Sequence, residues 1–412
     1  MRVFTCTPVE FGGGPDFFAR DSGLLCRGLQ AIGIESRAVM PGERMPEDEE
    51  DLIRTDFRNL ESAAWWRAQQ LDGVVLYAWG RPKFRKVAAA IREAGIFLVL
   101  SQDSAGLVSP LVGWHDWTQA QWIYSGRGRD AADWLRRIGR ACRGLTVGLL
   151  LTDPLRALHL KQGDVIACVS PKAAEHYRRL CRVYGSESLA GRVRVLPHAV
   201  ETRFRFSGRG KRRQVACVGR WHGRDEVQKR AALLMEVVEG LLKEDAQLTV
   251  VIAGRSSAEM KHWHAALGES QQERVRLAGR MSREELAALL DESQVFYSPS
   301  AYESFGIAAA ESLCAGCSVV AGRSVTMPSF EWFVSEKSGR LTDGDGAAGH
   351  VAALRAELDA WQNGERDAAG IARIWSGRLH ADHVAEAVVG MMDRGLQIVD
   401  RGNEAPPIAY HK

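Results

Sequence analysis

Residues 294–322 read QVFYSPSAYESFGIAAAESLCAGCSVVAG. The apolar run 294–300 has the length and composition of a buried strand. Residues 306–316 carry the small and apolar side chains of a packed helix, and 317–322 return as a second strand. Within this strand–helix–strand unit stand two acids, Glu303 and Glu311, eight positions apart. An unpaired carboxylate is costly among such neighbours, so each needs a partner or a task.

The same rhythm extends in both directions. Strands are expected at 2–8, 72–79, 95–101, 164–170 and 192–197, and again at 213–220, 248–254, 274–279, 294–300 and 317–322. Most are continuous apolar runs rather than alternating ones, the pattern of parallel strands covered on both faces. Helical stretches lie between them, such as 229–244 and 282–292. The latter opens on Ser282 with Glu285 three residues on, a capping box. Alternation of this kind specifies a doubly wound α/β fold.

The pattern occurs twice. The seam between the two runs, HAVETRFRFSGRGKRR (198–213), has no apolar period and six basic residues. It reads as a solvated linker rather than a nucleic-acid patch. The expected organisation is a first Rossmann-like domain over 1–198, a linker over 199–213, and a second Rossmann-like domain over 214–375. A helical segment over 376–412 would pack back on the first domain. Ligands of such sheets bind at the carboxyl ends of the strands, so the two domains should face each other across a cleft.

Glu303 then sits on a loop at a strand's carboxyl end, facing that cleft. The amides of Phe305, Gly306 and Ile307 open a helix, where free N–H groups and the dipole favour an anion. Gly306 lets a phosphate or sugar approach the backbone. A carboxylate beside a phosphate would repel it, so Glu311 suits the hydroxyls of a ribose and Glu303 those of a sugar. The competing reading is a capping Glu303 with a surface Glu311.

The stretch SPSAYESFGIAAAESLCAGCSVVAG resembles the E-x7-E signature of retaining GT-B glycosyltransferases, in particular glycosyltransferase family 4. CVSPKAAEHYRRL with RVRVLPHAV, VACVGRW through Lys229, and RVRLAGRMSREELAALLDESQVFYSPS resemble the family's preceding segments in the same order. The resemblance covers 160–345. It implies a two-domain GT-B fold and hexosyl transfer from a nucleotide diphosphate-sugar to a carbohydrate, lipid-linked or small-molecule acceptor. It implies Glu303 on the donor sugar and Glu311 on the ribose, with backbone contacts from Phe305, Gly306 and Ile307. Arg220 and Lys229 would clamp the diphosphate, and the base would rest near Gly279 to Met281. The sequence departs from the family between Arg220 and Lys229, where the interval is long, and at Arg230, which replaces a common glycine. Arg224 or Arg230 is therefore a rival for the lysine's role. A nucleotide-sugar epimerase, a sugar phosphorylase and a non-catalytic nucleotide-sugar-binding module on the same fold stay open.

The first domain offers FGGGPDF after its first strand. Gly12, Gly13 and Gly14 would permit close approach of phosphate or acceptor, against the reading of a plain turn. Trp79 and Asp103, at two other strand ends, are candidates for the acceptor, in competition with core and capping roles. Trp114, His115 and Trp117 are candidates for an acceptor wall.

Other features read as structural. Cys314 and Cys317 form a C-x-x-C at a buried helix end and suit core packing. Asp343 and Asp345 in DGDG suit a turn rather than a metal site, and His380 and His383 a solvated face. Residues 127–143 carry six arginines and two aspartates; a solvated helix is expected there, with an acidic membrane surface as the alternative. No metal or other cofactor is expected.

The 412 residues are 46% apolar and 25% charged, with a formal net charge of +3. This is a globular enzyme's composition and excludes a disordered chain; no nucleic-acid partner is expected. The opening MRVFTCTPVE does not read as a signal peptide, and no apolar run approaches the ~18 residues that cross a bilayer. A cytoplasmic protein is expected, possible contact with the inner face of a membrane included.

Overall fold

The structure, a computed structural model, describes residues 1–126, 131–223 and 225–400. The first sheet contains β1 (Val3–Cys6), β2 (Ala38–Pro41), β3 (Leu52–Thr55), β4 (Gly73–Tyr77), β5 (Phe97–Gln102), β6 (Val165–Cys168) and β7 (Val193–Val195). Its order is β3-β2-β1-β4-β5-β6-β7, and each pairing is parallel. The second sheet contains β8 (Arg212–Val218), β9 (Thr249–Ala253), β10 (Val275–Gly279), β11 (Ser293–Ser298), β12 (Ser318–Gly322) and β13 (Gly339–Thr342). Its order is β10-β9-β8-β11-β12-β13, again parallel throughout.

Each of the ten expected strands has an observed counterpart. Three more, β2, β3 and β13, were not anticipated. Each is only four residues long, and two, β3 and β13, are edge strands with half-buried positions. The central strands are apolar on both faces because helices cover both sides. Val215, Val250, Val295 and Val320 pack on one side, while Ala216, Phe296, Val319 and Ala321 pack on the other.

Strand order reverses between β1 and β4 in the first sheet and between β8 and β11 in the second. At these switch points the following loops diverge and leave a crevice. The segment joining the sheets is anchored as well as solvated. Phe204 is buried, and Lys211 Nζ donates to the carbonyls of Leu290, Asp291 and Ala315 at 2.9–3.0 Å. The helix Ala368–Leu379 packs in the second domain. The helix Ala381–Asp400 crosses back, where Ala381, Val384, Ala385, Val388 and Met392 join Leu25 and Val75 in the first domain's core.

Cys314 and Cys317 are buried free thiols, and Cys317 Sγ donates to Leu290 O at 2.9 Å. The pair fills the core.

Candidate active site

The crevice of the second sheet opens on a cleft cavity of about 580 Å³. Arg220 follows β8 and Glu303 follows β11, so the two come from the adjacent strands where the order reverses. The loop carrying Glu303 is pinned locally. Ala301 N donates to Gln228 O at 2.8 Å, and Gln228 Nε2 returns a bond to Tyr302 O at 2.9 Å. These bonds bring Lys229 onto Glu303, and the two form an ion pair through Oε1. Ser300 Oγ donates to the same oxygen at 2.8 Å. Arg220 stands more openly, with its Nε 3.1 Å from Asp225.

Gly306 starts the helix Ile307–Cys314 with φ +85°. A Cβ here would meet the Phe330 ring at 2.6 Å, so both conformation and space demand glycine. The helix ladder begins with Ala309 and Ala310, which both donate to Gly306 O. The amides of Ile307 and Ala308 precede it and have no intrahelical partner at such a helix start. Both residues line the cleft. The Phe305 ring is turned away into the core against Phe333, with His198 at its edge.

Glu311 is not a surface residue. Its side chain is 3% exposed, and Oε1 accepts from Arg283 Nη2 at 2.6 Å. Burial pushes its carboxyl up to about 7, and the guanidinium pulls the other way. Arg283 also meets Glu201 at 3.2 Å and lies 4.6 Å over the Phe204 ring. No local pattern marks Arg283 beyond the capping box that starts its helix; the fold brings it across 28 residues to Glu311.

The first domain supplies Asp103 and His198 to the same cavity. His198 Nε2 lies 3.2 Å from Asp103 Oδ1, a contact too poorly aligned for a hydrogen bond but close as an ion pair. Burial disfavours the imidazolium, yet the Asp103 charge outweighs this and holds His198 up at about 9. Burial likewise opposes the Asp103 carboxylate, and His198 holds it below its usual range. His198 was missed because a histidine after a proline carries no spacing signal. Arg20 and Arg280, two further cleft cations, were missed because both lie on exposed turns. Arg280 reaches Asp16 of the first domain at 3.2 Å.

Arg220, Lys229, Glu303, Phe305, Gly306, Ile307, Glu311 and Asp103 thus line one cleft. Other candidates stand elsewhere. Trp79 and Gly14 line an adjoining first-domain cavity of about 550 Å³, with Phe11, Asp16 and Asp21. Trp79 has φ +49°, an uncommon conformation for so large a residue, and meets Phe11 edge-on. Gly13 lines neither cavity: a Cβ there would strike Asp48 and Leu52 at 2.2 Å, so its smallness serves packing. Gly279 and Met281 also lie outside the cavity lining, and Met281 packs on the second-domain core. Of the acceptor-wall candidates, Trp117 is buried and Trp114 exposed.

Arg230 adopts φ +52°, a conformation glycine takes freely, which explains a glycine's suitability here. Its guanidinium turns to Asp345, 3.2 Å away, and does not line the cleft. Arg224 lies outside the described residues. Asp343 borders a separate hollow beside β13. Among the described residues, no group of three or more His, Cys, Asp or Glu stands together as metal ligands.

Residues 201–359 match the family model described as "Glycosyl transferases group 1". Over 132 residues the chain is 33% identical to a GDP-mannose:cellobiosyl-diphosphopolyprenol alpha-mannosyltransferase of Xanthomonas campestris, and 32% identical to its counterpart in Xanthomonas oryzae. These stretches are 30% of this chain and 33% of each relative, so the chain spans about a third of the length of the curated relatives it matches. Among solved structures it is similar to Anabaena HepE in complex with UDP, with a TM-score of 0.60 at 12% identity, covering 96% of this chain and 100% of the other. A glycosyltransferase from Rickettsia africae gives 0.62 at 12% identity, covering 96% and 99%. At such identities the likeness is one of fold. Two parallel Rossmann-like domains give this chain the GT-B architecture, with residues 201–359 matching a glycosyl transferases group 1 domain.

Proposed function

We propose that the chain is a retaining glycosyltransferase of the family 4 type, which moves a sugar from a nucleotide diphosphate donor to an acceptor hydroxyl. The observation that carries this reading is the convergence at the β8/β11 switch point. Arg220, Lys229 and the amides at Ile307 and Ala308 offer positive charge on one side of a cleft, with the Glu303 and Glu311 carboxylates beside them. A diphosphate matches the cations, and two sets of hydroxyls match the acids.

In this reading Glu311, steadied by Arg283, holds the ribose and Glu303 holds the donor sugar. The bond from the anomeric carbon to the leaving phosphate breaks as the bond to the acceptor oxygen forms on the same face. The acceptor's proton passes to the departing phosphate, so no protein base is required. Arg220, Lys229 and the helix-start amides stabilise the charge that develops on the diphosphate. Closure of the two domains aligns the reactants and excludes water. A sugar acceptor would fit the first-domain cavity, where Trp79 and Phe11 offer flat faces and Asp16 and Asp21 accept hydroxyls.

The Xanthomonas relatives are named for an acceptor on a diphosphopolyprenol, which favours a lipid-linked carbohydrate acceptor here. Because fixed cations surround the diphosphate position, the reaction is proposed to need no metal. Proton NMR of the product tests both points. An anomeric configuration equal to the donor's, formed after exhaustive chelation, supports the reading. Inversion refutes retention, and rescue by magnesium or manganese refutes metal independence.

A further inference from the structure

The helix Ala131–Arg143 is built the opposite way from an ordinary surface helix. Its charged side faces the protein. Asp133 is buried, and Arg137 Nε donates to it at 2.8 Å. Arg137 Nη1 reaches Trp122 O at 2.9 Å, and Arg140 Nη1 reaches Tyr124 O at 3.2 Å, both on the helix Trp114–Ser125. The apolar side faces outward: Trp134 is 56% exposed and Leu135 66%, with Ile138 beside them. At 100° per residue, positions 134, 135, 138, 142 and 145 fall within an arc of about 100°. The wide-pitch turns Gly144–Thr152 extend this face with Val147, Leu150 and Leu151, and Leu150 is 83% exposed. The helix is exposed, as a solvated helix would be, but its exposed side is apolar, because the periodicity revealed two faces but not which one the protein covers. Arg127, Arg129 and Asp130 lie outside the described residues.

Singly exposed apolar residues are ordinary, but a contiguous face of them marks a binding surface. Its surroundings indicate the occupant. From 113 to 152 the sequence has six arginines, three aspartates and no lysine or glutamate. Arg143 is exposed on the flank of the helix outside the apolar arc, Arg136 reaches from that flank to Asp133 at 3.1 Å, and Trp114 and Trp122 are exposed on the neighbouring helix. Two copies of this face would bring their arginines together, whereas anionic lipid complements them. Tryptophan beside an apolar face also suits the boundary of a bilayer. Among the described residues no helix is long and apolar enough to cross a membrane, so the contact is with its surface.

We propose that the outward face of residues 131–151 lies in the surface of a bilayer containing anionic lipid. The opposite, charged side of the same helix adjoins the cleft, since Arg140 lies over Tyr124, whose ring is 5.0 Å from that of Tyr302 next to Glu303. Docking there would bring the cleft mouth to the lipid surface, where a lipid-linked acceptor would be presented. The docking itself does not depend on the transfer reaction.

Co-sedimentation of the full chain with phosphatidylcholine vesicles, with and without phosphatidylglycerol, tests this. Wild type should bind the anionic vesicles about tenfold or more better than the neutral ones, and added salt should weaken that binding. The double variant Leu135→Glu, Leu150→Glu should lose the binding by about tenfold or more. Both side chains are exposed, so its circular dichroism should match wild type. Equal binding by wild type and variant, or no binding by wild type, overturns the proposal. So does a concentration-dependent wild-type dimer that the variant abolishes without any vesicle binding, which would assign the face to a second copy. The vesicles contain neither donor nor acceptor, and nucleotide titration reads the cleft separately, so failure here is distinguishable from failure of the transferase reading.

Discussion

Lys229 and Glu303 are paired with each other at the carboxyl end of the second sheet, each with less than a fifth of its side chain exposed. The sequence suggested separate duties for them, phosphate for the lysine and sugar for the glutamate. Their contact couples the two. A carboxylate paired with the lysine also fixes where its ammonium stands, and the lysine in turn aims Glu303.

Removing Glu303 should therefore affect more than the sugar. Glu303→Ala is expected to depress kcat while leaving nucleoside diphosphate affinity equal to wild type or higher, because Lys229 is released towards the phosphates. Glu303→Gln keeps the shape and should fall between the two. Steady-state kinetics beside nucleotide titration would check this; a parallel loss of nucleotide affinity in Glu303→Ala contradicts it.

Arg220 is more exposed than Lys229, with 68% of its side chain open and its Nε 3.1 Å from Asp225. A donor placed where charge develops contributes roughly 10²–10³ in rate. Arg220→Ala should lose that much in kcat with an unchanged melting temperature. Lys229→Ala should lose a similar amount, and Arg230→Ala very little, since Arg230 turns towards Asp345. A wild-type rate in Arg220→Ala would remove it from the site.

The Arg283–Glu311 pair makes a stability prediction as well. Deleting Arg283 leaves Glu311 buried without its cation, and breaking a buried pair from one side costs about 3–5 kcal/mol. Because Arg283 keeps a solvated edge, Arg283→Ala should lose about 3 kcal/mol in denaturant unfolding, and Arg283→Lys less. Burial already raises the Glu311 carboxyl to about 7, so losing the guanidinium should raise it further. Nucleotide affinity in Arg283→Ala should then fall off at a higher pH than in wild type.

His198 and Asp103 set a pH window for stability. His198 rises from 6.5 unfolded to about 9 folded, so its contribution is complete below 6.5 and is lost as pH climbs through 9. Asp103 is lowered from 3.8, so its contribution is present above 3.8 and is lost only as pH falls below that value. The pair is therefore fully stabilising between these limits. His198→Gln should be destabilised by on the order of 3 kcal/mol near pH 6 and by much less above pH 9. A difference from wild type that stays constant across this range would show that the pair does not titrate as described.

The fold was legible because buried parallel strands are written as apolar runs, and these runs located ten of the thirteen strands. The strands Ala38–Pro41, Leu52–Thr55 and Gly339–Thr342 are four residues each and are flanked or interrupted by charged residues, so no apolar run marks them. Local motifs likewise identified Glu303, Gly306 and Glu311, whose spacing sits on one loop and one helix. The partners that tune them were not legible. Arg283, His198 and Arg20 reach the cleft from other elements, and a lone arginine or histidine gives no local pattern. Gly13 shows the converse, a glycine that looked available to a ligand and instead makes room for Asp48 and Leu52.

In the proposed function the cleft between β8 and β11 receives a nucleotide diphosphate. Isothermal titration of the folded protein with UDP, GDP and ADP measures this most directly. At least one should bind saturably, and Glu311→Ala should weaken that binding by about tenfold, the effect of losing roughly 1.4 kcal/mol. No binding of any of the three, or binding that Glu311→Ala and Arg220→Ala both leave unchanged, would contradict the account.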